Sequence, residues 1–206
     1  MTSVLPRGRP RSVSDDQILD AALRAFATFG FEATSLRSLN EELGLSHQAI
    51  SQRFGSKASL FVAAADHGLR SFFKETRRFL EAEAAPGDDL AELRSMLGAF
   101  VHAARRHPEL GRLINHEGLH ESERLDHLIG GIGPSFALIA ERLERFASNG
   151  TIRPTSVREF FFLSQAAAAP FNLGPLSRAF DQFDGPLEPD DYVESVIDII
   201  LRGLLL

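Results

Sequence analysis

Apolar residues recur at three- and four-residue intervals in every periodic stretch of this 206-residue chain, and nowhere alternate as a half-buried strand requires. That periodicity restricts the fold to helices packed on helices, so the expected class is all-α. Ser14 followed by Gln17 forms a capping box, with Asp15 and Asp16 placed favourably against the helix dipole. Ile18, Ala21, Ala22, Ala25, Phe26 and Phe29 then mark a first helix that Gly30 stops. A second helix opens near Thr34 as N-cap and carries Leu36, Leu39 and Leu43 on one side before Gly44. Ser46 is the expected N-cap of a third, and Ser56 that of a long fourth running to a turn at Pro86 and Gly87.

Further helices are expected over roughly residues 88 to 106, from Pro108 to the Gly118 break, from Pro134 to Asn149, from Ser156 to Pro170 and from Asp190 to Leu206. The segment FNLGPLSRAFDQFDGPLEPD reads as a Gly/Pro-rich connector. No run of about 18 apolar residues occurs, which excludes a membrane-spanning helix. The chain lacks cysteine, and its basic start, MTSVLPRGRPRS, is not followed by an apolar h-region, so a cytoplasmic protein is expected. Charge is uneven. The whole chain carries −6, whereas residues 1–60 hold Arg7, Arg9, Arg11, Arg24, Arg37, Arg53 and Lys57 against six acids. A polyanion contact confined to that end fits this distribution.

The third helix, within SHQAISQRFGSK, has only the narrow apolar stripe of Ala49, Ile50 and Phe54, and leaves His47, Gln48, Ser51 and Gln52 on its other side. Two short helices joined by a tight turn at Gly44 match a helix-turn-helix, whose second helix presents polar side chains to the major groove. From RGRPR through ILDAALRAFATFGFEATSLRSLNEELGLSHQAISQRFGSKASLF, the first 61 residues resemble the DNA-binding domain of the tetracycline-repressor (TetR) family. The resemblance rests on Phe29-Gly30-Phe31, Thr34, Gly44-Leu45-Ser46, and Phe54-Gly55-Ser56-Lys57 followed by Leu60.

The resemblance implies a two-domain regulator: a basic arm over residues 1–13, a three-helix DNA-binding domain over 14–60 with its motif at about 34–54, and a helical ligand-binding and dimerisation domain over 61–206. It implies a homodimer on a palindromic operator in double-stranded DNA, acting as a repressor that a small-molecule effector releases, with no cofactor and no membrane partner. Carried onto this sequence, Thr34 and Lys57 would meet phosphates, while His47, Gln48 and Ser51 would face base edges or the sugar-phosphate wall; Ser35, Arg37, Ser46, Gln52 and Arg53 complete the expected contact set. Gln48 is suited to a bidentate adenine contact. PRGRPR has two readings, an arm whose arginines enter an A·T-rich minor groove or a basic tail of no fixed register. The chain departs from the family where tyrosine, any residue, then tyrosine or histidine usually precedes the phenylalanine: here stand Ser51, Gln52 and Arg53. Asn40 and Leu43 likewise replace customary alanines.

The last two long helices are expected to form the dimer interface through Phe160, Phe161, Val193, Val196, Ile197, Ile200 and Leu204, since the final helix has more apolar surface than a monomer hides easily. Phe72, Phe100, His102, Asn115 and His116 lie on segments expected to line the effector pocket, with an apolar ligand. Two other functions compete. A helical ligand-binding or interaction protein without DNA binding would follow if the departures at Ser51 and Arg53 abolish docking. A zinc hydrolase is suggested by HEGLH at residues 116–120, where His116 and His120 would bind the metal and Glu117 activate water. Against the latter, Gly118 interrupts the five, Glu123 and Asp126 stand where the longer signature has glycine and histidine, and no Met-turn follows.

Overall fold

The computed structural model describes residues 13–83 and 87–206, which form helices with a single isolated antiparallel bridge between Ile152 and Leu205. Arg7, Arg9 and Arg11 of the basic arm, and the turn residue Pro86, lie outside the described residues. The helices are α1 (Asp15–Ala33), α2 (Leu36–Glu42), α3 (Ala49–Phe54), α4 (Lys57–Ala82), α5 (Asp89–Arg106), α6 (Pro108–Glu117), α7 (Glu123–Ser148), α8 (Val157–Asn172), α9 (Gly174–Arg178), α10 (Asp181–Asp184) and α11 (Pro189–Leu204). The result is an N-terminal helix-turn-helix unit on a larger helical body. Among the described residues no helix is long and apolar enough to cross a membrane.

Local chemistry sets most of these boundaries. The Ser14–Gln17 capping box is formed in both directions, Gln17 N donating to Ser14 Oγ at 3.2 Å and Ser14 N to Gln17 Oε1 at 2.9 Å. Ser56, Asp88, Ser122 and Ser156 cap α4, α5, α7 and α8 in the same manner, each accepting one amide that a helix start leaves unpaired. Three expectations shift. α7 starts at Glu123 and runs through Pro134 instead of starting after it, and the connector holds the short helices α9 and α10. Phe29, placed by periodicity on the buried face of α1, is 66% exposed because the helix breaks at the next residue.

Two apolar clusters hold the molecule together. The first joins Ile18, Leu19, Phe26, Leu39, Ile50, Leu60, Phe61 and their neighbours to Leu110 and Leu113 of α6 and Leu128 and Ile132 of α7. The rings of Phe26, Phe31 and Phe61 meet pairwise with centroids 5.1 to 5.8 Å apart. The helix-turn-helix therefore shares its core with the body, and displacement of α4, α6 or α7 is felt by α1. The second cluster packs α5, α7, α8 and α11, including Leu97, Val101, Phe146, Phe160, Val193, Ile197 and Leu204.

Candidate nucleic-acid interface and ligand cavity

The turn between α2 and α3 is a Schellman motif: Gly44, at φ +65°, donates its N–H to the Glu41 carbonyl at 3.2 Å, and Leu45 N donates to the Asn40 carbonyl at 2.8 Å. Ser46 does not cap α3. The helix begins at Ala49, two residues later than an N-cap at Ser46 would place it, with Gln48 at the cap position and no side-chain bond there; Ser46 contributes only its carbonyl, to Ala49 N at 3.0 Å. The missing cap comes from another helix. Asn40, fully buried on α2, accepts from Ile50 N at 3.2 Å and donates to the carbonyls of His47 at 3.0 Å and Leu36 at 2.9 Å. One amide thus fixes the start of α3 to the body of α2. The sequence marked Asn40 only as an unusual residue for its position.

This clasp leaves a continuous polar surface. Ser46, His47, Gln48, Ser51 and Gln52 are all exposed, and among the described residues their side chains form no hydrogen bond. Ser51 and Gln52 stand one and two residues after Ile50, whose side chain is fully buried, so the apolar stripe of α3 faces α1, α2 and α4 while its opposite side is open. Arg53, exposed as expected, is also anchored: Nη1 donates to the Val13 carbonyl at 2.7 Å and lies 3.4 Å from Asp15 Oδ1. Ser35 caps α2 and Arg37 pairs with Glu41 at 3.0 Å, both on the exposed side.

Two expected phosphate contacts are otherwise engaged. Thr34 is 4% exposed and its hydroxyl donates to the Gly30 carbonyl at 2.7 Å. Lys57 Nζ donates to the carbonyls of Phe31, Glu32 and Thr34 at 2.9, 3.2 and 3.2 Å and sits 4.5 Å from the centre of the Phe31 ring. These carbonyls end α1, where the helix dipole is negative, so an ammonium there satisfies orphan acceptors and complements the dipole. Both residues shape the interface from behind.

The HEGLH segment has a structural use as well. α6 ends at Glu117, so His116 and His120 do not share a helical face. Glu117, 4% exposed, receives Arg124 Nε at 2.8 Å, and the Arg124 guanidinium lies 4.3 Å from the Phe31 ring centre. A carboxylate engaged in this way is not a free general base. No cluster of three or more metal-ligating side chains occurs among the described residues.

Behind this junction lies a cavity of about 260 Å³, walled by α4 to α8. Phe72 and Phe100 line it, as expected, their rings 5.6 Å apart. The other three expected residues do not. α6 turns Leu110, Gly111 and Ile114 inward, and at 3.6 residues per turn this carries Asn115 and His116 round to the surface. His102 stacks on Phe79 with centroids 4.7 Å apart, and burial, reinforced by Arg105, lowers its pKa below the ordinary imidazole value. Leu69, Phe136, Phe161, Ser135, Gln165 and Arg142 also belong to the wall and were missed, because periodicity tells which face of a helix is covered but not what covers it.

The expected dimer face is corrected in the same way. Phe160, Val193, Ile197, Ile200 and Leu204 are buried within the second core of the chain itself, and Val196 packs partly against it. Phe161 lines the cavity, its ring 5.4 Å from that of Phe136. The final helix is hidden by α5 and α8 and needs no partner for these residues. What remains exposed is Phe162 on α8 and Ile199 on α11, each 64% accessible, with Ala166, Ser195 and Gly203 on the same open sides.

The comparisons with known proteins agree with this geometry. Residues 18–64 match the family model described as bacterial regulatory proteins, tetR family. The chain is 28% identical over 165 residues to the HTH-type transcriptional regulator RutR of Escherichia coli (strain K12), covering 78% of this chain and 74% of that protein. It is 25% identical over 197 residues to the HTH-type transcriptional repressor NicS of Pseudomonas putida, covering 92% of this chain and 91% of that protein. The fold is shared with the ketosteroid transcriptional regulator KstR2 of Mycobacterium tuberculosis, at a TM-score of 0.65 and 17% identity over 97% of this chain and 100% of that one. Residues 18–64 thus carry the DNA-binding segment of the tetR family of bacterial regulatory proteins, and the chain is a DNA-binding transcriptional regulator.

Proposed function

We propose that the protein is a homodimeric repressor that binds a palindromic operator through α3 and is released by a small, largely apolar effector held in the α4 to α8 cavity. Residues 14–60 are the DNA-binding domain, residues 1–13 an arm preceding it, and residues 61–206 the effector and dimerisation domain. The observation that carries this reading is the open polar face of α3, five exposed side chains with no hydrogen-bond partner among the described residues, on a helix packed against α4, which also walls the cavity. His47, Gln48 and Ser51 contact the groove, and Arg53 adds charge at its edge while holding α3 to the start of α1. The arm's Arg7, Arg9 and Arg11 supplement the electrostatic contact.

Release follows from shared packing. α4, α6 and α7 line the cavity and also contribute to the core around α1, so a ligand that favours a different arrangement of these helices changes the spacing of two recognition helices in a dimer. For the dimer we assign the open stripe of Phe162 and Ala166 on α8 and Ser195, Ile199 and Gly203 on α11, whose small residues allow close helix approach around two large apolar anchors. Ile199→Glu is therefore expected to convert a species of twice the chain mass into one of the chain mass at micromolar concentration in sedimentation velocity, and to lower operator affinity at least tenfold. A wild-type protein that sediments as a monomer at high concentration removes the dimer from this account.

A further inference from the structure

The wall of the cavity carries a charge. Among the described residues twenty-one line the cavity, and Arg142 of α7 is the one charged member of that set. Its Nε donates to Glu92 of α5 at 2.8 Å, and its side chain is 36% exposed. Among the described residues the two terminal amino groups of Arg142 have no hydrogen-bond partner. Glu92 is shared: its other carboxylate oxygen is taken by Arg145, which also lies 3.3 Å from Asp89. Glu92 therefore orients Arg142 through one edge and leaves the opposite edge of the planar fork unoccupied, the geometry that receives a carboxylate bidentately.

The rest of the wall sets the other end of the ligand. Thr76 and Ser164 spend their hydroxyls on the carbonyls of Phe72 and Phe160, at 3.0 and 2.8 Å, which leaves Ser135 and Gln165 as the uncharged polar side chains of the wall with no such bond among the described residues. Among the described residues no acidic side chain lines the cavity, which leaves a cationic ligand without a counter-charge there. At roughly 30 Å³ per water-sized group, a volume of about 260 Å³ holds a chain of about nine such groups.

Resting on the reading of this cavity as the effector site, we propose that the effector is a monocarboxylic amphiphile of about eight to ten carbons, its tail among the phenylalanines and its carboxylate at the rim on Arg142. Head-out binding keeps the carboxylate hydrated on one side, so only the alkyl tail is fully desolvated.

The test is calorimetric titration of the full-length protein with decanoate, 1-decanol and decylamine, three probes of one length and different heads. Decanoate is expected to bind on the order of ten- to hundredfold more tightly than the other two, the range of a charge-assisted pair. Arg142→Gln should remove that advantage and leave decanol binding within about twofold, and Arg142→Lys should retain part of it. Arg145→Gln, which disturbs the same Glu92 network from outside the cavity, should leave decanoate binding unchanged; equal losses in Arg142→Gln and Arg145→Gln would overturn the assignment. Equal affinities of decanoate and decanol overturn it while leaving the cavity as the effector site. Binding of none of the three overturns both.

Discussion

Asn40→Ala should lower the stability of the protein by about 2–3 kcal/mol and abolish specific operator binding even where the chain remains folded. The side chain is fully buried and holds three backbone groups from two elements, Leu36, His47 and Ile50. The Leu36 carbonyl lies within the α2 ladder, but the His47 carbonyl and Ile50 N–H lose their partner outright when the amide is deleted. A buried polar group left unpaired costs about 1–3 kcal/mol, and the carboxamide removed leaves a cavity beside the α2–α3 turn. Asn40→Asp is the discriminating control: it keeps the acceptor for Ile50 N–H but turns carboxylate oxygens toward two carbonyls, so it should fare no better than alanine. For a chain of this length a loss of 2–3 kcal/mol lowers the melting temperature by roughly 5–10 °C. Thermal unfolding followed by circular dichroism gives the stability change. Operator titration well below the transition gives the positional effect, and an Asn40→Ala protein with wild-type affinity there would show that the trans cap does not place α3.

Gly30→Ala is expected to be as damaging, by about 2–4 kcal/mol, through two separable effects. Gly30 sits at φ +77° and ψ 171°, a region that only glycine occupies without strain, and a residue forced there costs about 1–3 kcal/mol. An added Cβ would also lie 2.6 Å from His116 Cε1 and 2.7 Å from its Nε2. The His116 ring is half exposed and can rotate away, whereas the backbone strain has no outlet. Backbone strain is therefore the larger part. In a His116→Ala background the cost of Gly30→Ala should fall by less than about 1 kcal/mol. A drop to near zero in that background would assign the effect to the clash alone. Functionally the pair lies at the contact between α1 and α6, so Gly30→Ala should also weaken the coupling between effector and operator.

Much of this was legible from the sequence because it is local. Capping boxes, the Gly30 and Gly44 stops and the 3.6-residue spacing are short-range devices, and α4, α5 and α6 fall where they place them, whereas α1 is kinked at Gly30 and runs on to Ala33, α2 is capped by Ser35 and not Thr34, and α8 continues through Pro170 to Asn172. The polar face of α3 was legible too, since Ile50 and its two apolar neighbours cannot be buried without exposing His47, Gln48, Ser51 and Gln52. What was not legible depends on other elements. The cap of α3 comes from Asn40, ten residues before Ile50, so no local rule at Ser46 could supply it. Pro134 continues α7 because surrounding helices hold that segment, where propensity alone places a boundary. Ile197, Ile200 and Leu204 show that the final helix must be covered, but only the packing shows that α5 and α8 cover it and that Ile199 and Phe162 stay exposed. Lys57 and Thr34 carry the chemistry of phosphate ligands, and no local rule shows that their side chains bond to the carbonyls that finish α1.

The open face of α3 as the surface that reads an operator is tested most directly by selecting binding sites from random double-stranded DNA, in parallel for the wild type and Gln48→Ala, at one fixed salt concentration. The account predicts that the wild type enriches a palindrome with half-sites about one helical turn apart or somewhat more, and that Gln48→Ala enriches a palindrome of the same spacing with an altered base preference at one position of each half-site. Enrichment of no palindrome by the wild type at low salt, or an identical site for both proteins, would contradict it.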